Sequence, residues 1–89
     1  MMLPSIHLNG TAHQELLRQA LDACDAMRSA MEALSRMTPN ARDYYPQGPI
    51  AIETALFEHG ARQEPVRKSL KDLEAYTLCL SEMSPKPKH

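Results

Sequence analysis

The sequence predicts an all-α fold: a long antiparallel helical hairpin with an extended N-terminal arm, which needs copies of itself to complete an oligomeric helical bundle. Three observations predict it. Residues 11–37 contain neither Gly nor Pro and carry apolar side chains at steps of three and four, the spacing of one helical face. Residues 49–83 repeat that spacing. Between them, Pro39, Pro46 and Pro49 exclude a continuing helix, so the chain must turn there.

Residues 1–10 come first. Leu3, Ile6 and Leu8 surround Pro4 in a stretch too short for a helix of its own, and it closes on Asn9-Gly10, a turn signal. This reads as an extended arm. Thr11 then caps the first helix, with Gln14 placed to reach back to the Thr11 backbone N–H as in a capping box. In helix 11–37 the seam is Leu17, Leu21, Cys24, Met27, Met31 and Leu34. A polar line lies opposite, in which Arg18/Asp22 and Glu32/Arg36 have the spacing of weak ion pairs. A second stripe, Ala20, Ala23, Met27, Ala30, Leu34 and Met37, either lets another helix approach closely or supplies helicity alone.

Residues 38–48 form the connecting loop and hold two of the three tyrosines. Pro49 suits the first turn of helix 49–83, where its missing N–H has no partner to lose. The second seam runs Ile52, Leu56, His59, Gln63, Val66, Leu70, Leu73, Thr77 and Leu80. Because the period survives Gly60 and Pro65, one helix kinked at 60–65 is expected, with a break at Gly60 as the alternative. The tail 84–89, polar and spaced by prolines, is expected to be disordered.

Composition narrows the function classes. The chain of 89 residues makes a single domain and, at this size, buries only about 60 to 65% of the surface its unfolded form exposes. Ten basic and eleven acidic side chains give a net charge of -1, so no general field is present to hold a long nucleic acid. A small anion needs only a local cluster of donors. Cys24 and Cys79 lie among apolar neighbours, without metal or disulfide spacing, and read as buried thiols in a reducing cytoplasm. No run approaches the roughly 18 apolar residues of a membrane span, and no charged start with an apolar stretch marks an export signal.

A tight turn at 38–48 would set facing residues of the two helices at numbers summing to about 86. Cys24 is then expected near Arg62, and the second helix overhangs the first at its C-terminal end. Tyr76, Leu78, Leu80 and Met83 on that overhang require cover from the arm or from another subunit. The apolar coverage exceeds what one seam can hide, hence the expectation of a homo-oligomer.

The stretch Arg42-Asp43-Tyr44-Tyr45 is the most unusual. Aromatics beside arginine on a proline-stiffened loop can stack on bases and pair with phosphate. Equally, the tyrosines can cover the end of the bundle while Arg42 and Asp43 make turn or capping bonds. His59 stands where the seam would take Leu, with Arg62 and Gln63 one turn on. It is either a buried imidazole bonded to a neighbour or a ligand or interface contact. The candidate binding residues are therefore Arg42, Tyr44, Tyr45, His59 and Arg62. His7, His13 and His89 are scattered without metal spacing, and no phosphate loop, nucleophile elbow or acid–base pair appears, so no metal, cofactor or catalysis is expected.

Ile6-His7-Leu8-Asn9-Gly10-Thr11, Pro39-Asn40-Ala41-Arg42-Asp43-Tyr44-Tyr45 and Glu58-His59 with Arg62 together resemble a pattern of small bacteriophage proteins for which no activity is established. By size and architecture alone, the chain is similar to viral sponge proteins, oligomeric helical proteins that sequester the cyclic nucleotide signals of bacterial immunity. That likeness implies a non-enzymatic protein of the host cytoplasm that holds a cyclic oligonucleotide. The alternative expectation is a phage structural or interaction adaptor with no small ligand.

Overall fold

The structure is a computed structural model that describes residues 1–5 and 10–83, without the side chains of Gly10 and Thr11. The Ile6-His7-Leu8-Asn9 stretch, the Thr11 cap and the tail 84–89 lie outside the described residues. The described chain is all-α, with no strand. Helix α1 spans Gly10–Arg36, α2 Ala41–Tyr44, a 3-10 turn Tyr45–Gln47, and α3 Pro49–Glu82. No described helix is long and apolar enough to cross a membrane.

α1 ends where Pro39 forbids another turn. The Met37 N–H donates to Leu34 O (3.0 Å), and the Thr38 hydroxyl donates to Ser35 O (2.7 Å), so side chain and backbone together satisfy carbonyls of the last turn. Residues 38–48, expected as a plain loop, instead wind into α2 and the 3-10 turn. Asn40 starts α2: its Oδ1 accepts from the Arg42 N–H at 2.9 Å, the geometry of an N-cap. Gly48 then redirects the chain at φ 94° and ψ 168°, a region open in practice only to glycine. α3 follows with Pro49 in its first turn and runs unbroken through Gly60 and Pro65.

α1 and α3 run antiparallel, but not in the register a tight turn would impose. Cys24 meets Thr77 and Arg28 meets Glu74, pairs whose numbers sum to 101 and 102. The expected neighbour of Cys24, Arg62, lies elsewhere, on the cleft described below. The reason is the wound segment 41–47, which folds against the first turns of α3 and so takes up length that a tight turn would have given to α1. The unpaired length of α3 is thus its N-terminal part, not residues 76–83. Leu80 is fully enclosed (0% exposed) and Thr77 is buried.

The interior is thin. Ala20, Cys24, Ala55 and Leu80 are the buried apolar residues among those described, joined by His59 and Thr77. Leu17, Met27, Met31 and Leu34 on α1 and Val66, Leu70 and Leu73 on α3 are half-buried along the expected stripes, whereas Leu21 and Leu56 are exposed and Ala20 and Ala55 take the inner positions. Of the second α1 stripe, Ala30 and Met37 are exposed.

Polar contacts fix the register. The Thr77 hydroxyl donates its single proton to Leu73 O (2.7 Å), so at 3.4 Å the Cys24 thiol must be the donor to Thr77 Oγ1. A protonated, enclosed thiol is chemically quiet, and both cysteines are free. At the far end, His13 Nε2 lies 2.6 Å from Leu80 O; since a carbonyl only accepts, Nε2 carries the proton. The Leu80 carbonyl, which also accepts the Met83 N–H at 3.2 Å, is thereby shared with His13, and the last turn of α3 is tied to the start of α1. Arg28 bridges Asp25 and Glu74, and the hydrogen bond with Glu74 chiefly holds its guanidinium above the ordinary value. Arg18 bonds Glu15 rather than the expected Asp22, the acid preceding the base as the helix dipole favours; Glu32 and Arg36 form no ion pair among the described residues.

Candidate functional site

The fold-back of residues 37–47 against α3 creates a cleft of about 400 Å³. One wall is Met37, Pro39, Tyr44 and Gln47; the other is the α3 face Ala51, Thr54, Ala55, Glu58, His59 and Arg62. Steps of three and four along α3 place these six on one side of the helix. The connection supplies the opposite wall because Asn40 nucleates α2 and Gly48 turns the chain back.

Three of the five sequence candidates, Tyr44, His59 and Arg62, line this cleft. Tyr44 also borders a second, more apolar hollow of about 250 Å³ with Tyr45, Ala41, Gly48, Pro49 and Ile52. Tyr45 belongs to that hollow alone and is 85% exposed. Arg42 lines neither: its backbone N–H is held by Asn40 while its side chain stands in solvent.

His59 is the chemically unusual member. It is 3% exposed, yet its Nε2 has no hydrogen-bond partner. A buried polar atom without a partner costs about 1–3 kcal/mol relative to a satisfied one, so a group that bonds it recovers that free energy. Leu at this position would fill the seam without the penalty. Arg62, exposed at the rim of the cleft, forms no ion pair among the described residues and keeps its donors available. Glu58 beside it adds an acceptor.

Gln47 and Thr54 complete the polar lining, and sequence reasoning did not single them out. Thr54 was legible in principle, lying four residues before Glu58 on one face; Gln47 was not, since its place depends on the 3-10 turn. His13 was also passed over as scattered, although it sits four residues before Leu17 on the same stripe. Among the described residues no group of three or more His, Cys, Asp or Glu is gathered as a metal site would need.

Fold and cleft together define an all-helical protein with one mixed polar and apolar recess beside its interhelical connection. No family model matches the chain, and neither a curated protein nor a solved structure matches it.

Proposed function

We propose that this chain is a non-enzymatic binding protein: a helical hairpin that self-associates and holds a small anionic nucleotide, in the manner of a phage sponge for cyclic oligonucleotide signals in the host cytoplasm. The observation that carries the reading is the convergence of Tyr44, His59 and Arg62 on one cleft of about 400 Å³, a volume in the range of small-molecule sites. In this arrangement Arg62 pairs with a phosphate, the Tyr44 ring stacks on a base, and His59 Nε2 gains the hydrogen bond it lacks. Glu58 and Gln47 supply acceptors and donors for a base edge or ribose hydroxyl. Arg42 and Tyr45, outside the cleft, contribute only where a ligand extends to a neighbouring copy.

Titration calorimetry against a panel of cyclic di- and trinucleotides tests the proposal. Heat is expected for at least one of them, with Arg62→Ala and Tyr44→Ala each weakening binding at least tenfold and Arg42→Ala much less. Absence of heat from the whole panel at high micromolar concentration overturns the nucleotide reading.

A second reading, a protein-interaction or structural adaptor without a small ligand, is favoured by Ile50 and Phe57, which are 72% and 80% exposed on α3. It expects Arg62→Ala to be silent in every nucleotide assay while substitutions at Phe57 abolish capture of a protein.

A further inference from the structure

The cleft is lined by one carboxylate and one guanidinium, and the chain pairs neither. Glu58 and Arg62 stand one turn apart on its α3 wall, both exposed, and among the described residues neither forms an ion pair. Yet four residues with the acid first is the favoured order for such a pair. Because an exposed helical pair is worth little, a ligand that engages the two groups separately displaces almost nothing. A carboxylate alone marks no site. The second mark is His59, the next residue, which is 3% exposed, lines the same cleft and leaves its Nε2 without a partner.

We infer that the ligand of this cleft is a guanine nucleotide, with Glu58 reading the base and Arg62 holding the phosphate. This rests on the nucleotide reading proposed above and names the base. An ionised carboxylate has two oxygens that only accept, so it suits an edge with two donors side by side. Unpaired bases are read along their Watson–Crick edges while their faces stack on aromatic rings, the part Tyr44 plays here. Of the common bases only guanine sets two donors next to each other on that edge, N1–H and the N2 amino group. Adenine offers one donor beside the N1 lone pair, cytosine one donor beside the N3 lone pair, and uracil one N–H between two carbonyls. In each of these the second carboxylate oxygen meets a lone pair, so Glu58 repels what it does not bind. The guanine edge ends in O6, an acceptor, and His59 Nε2 as an N–H or the Gln47 amide supplies its donor.

The same pair of charges limits the phosphate. A phosphodiester brings one negative charge, which Arg62 meets. A chain of phosphates would set its further charges against Glu58.

Titration calorimetry on the full chain with cyclic di-GMP and cyclic di-AMP, at one salt concentration, tests the inference. The wild type should bind cyclic di-GMP at least about tenfold more tightly, a discrimination typical of a bidentate contact. Glu58→Gln replaces one acceptor by an amide donor, the pattern adenine matches, and should erase or reverse the preference. Arg62→Ala should weaken both ligands by a similar factor. Both positions are exposed, so both variants keep the fold. Equal affinities, an adenine preference, or a guanine preference that survives Glu58→Gln overturns the inference while the nucleotide reading stands. A preference erased by Arg62→Ala instead assigns the base to the arginine, through guanine O6 and N7, and overturns it likewise. Heat from neither ligand overturns it too, and the wider panel of cyclic nucleotides then decides the nucleotide reading by itself.

Discussion

Replacing Leu80 by Ala, with Leu56→Ala as its counterpart, tests the register of α1 against α3 directly. Leu80 is fully enclosed near the C-terminus of α3, whereas Leu56 is 45% exposed. Removing a wholly buried leucine's three terminal carbons costs about 2–5 kcal/mol, the range reflecting how far the walls collapse. At Leu56, where much of the side chain already meets water and no closed cavity forms, the loss is about 1 kcal/mol. A domain of this size has a total stability of about 4–13 kcal/mol, and each kcal/mol moves its Tm by about 4–8 °C. Leu80→Ala should therefore lower the Tm by at least about 8 °C, and Leu56→Ala by no more than about 8 °C. Thermal unfolding followed by far-UV circular dichroism, at one fixed protein concentration, reads both. The order would reverse in a chain with a tight turn: facing numbers would sum to about 86, Leu56 would sit inside against Ala30, and Leu80 would overhang. A larger loss at Leu56 than at Leu80 refutes the observed register.

Three further outcomes follow from single positions. Gly48→Ala should destabilise by about 1–3 kcal/mol although nothing crowds its Cβ, because the cost is conformational; a neutral result in urea denaturation would show that φ 94° is not required there. Thr77→Val removes the acceptor of the buried Cys24 thiol while keeping the shape, and should lower the urea midpoint by the equivalent of about 1–2 kcal/mol; a stabilised variant would disprove that bond. Pro65→Ala restores an N–H in the exposed interior of α3 and should raise stability by up to about 3 kcal/mol, seen as a higher Tm; a lower Tm would mean that proline's geometry is needed.

The helices were legible because their apolar residues repeat at steps of three and four over many turns, long enough for periodicity to outvote Gly60 and Pro65. The connection was not. α2 has four residues and the 3-10 turn three, too short to leave a periodic signal, and their winding depends on Asn40 and Gly48 acting together. Missing them shifted the expected pairing of the helices, which placed Cys24 by Arg62 instead of Thr77. The candidate residues fared according to what positions them. His59 and Arg62 share a helix face, so their proximity follows from spacing alone. Tyr44 reaches them only through the fold-back, and Arg42, two residues earlier on the same short helix, does not.

The cleft also has an implication for the order in which the molecule takes shape. Its lining runs from Met37 to Arg62, one continuous stretch, while the bond from His13 to Leu80 joins positions 67 apart. Closing a short loop sacrifices less chain entropy than closing a long one, and contacts close in sequence form sooner. The recess should therefore zip up ahead of the far end, and heat should fray Leu80 and His13 first. Amide protons of α3 near Ala55 are then expected to outlast those near Leu80 in hydrogen exchange, leaving the recess assembled in partly opened molecules.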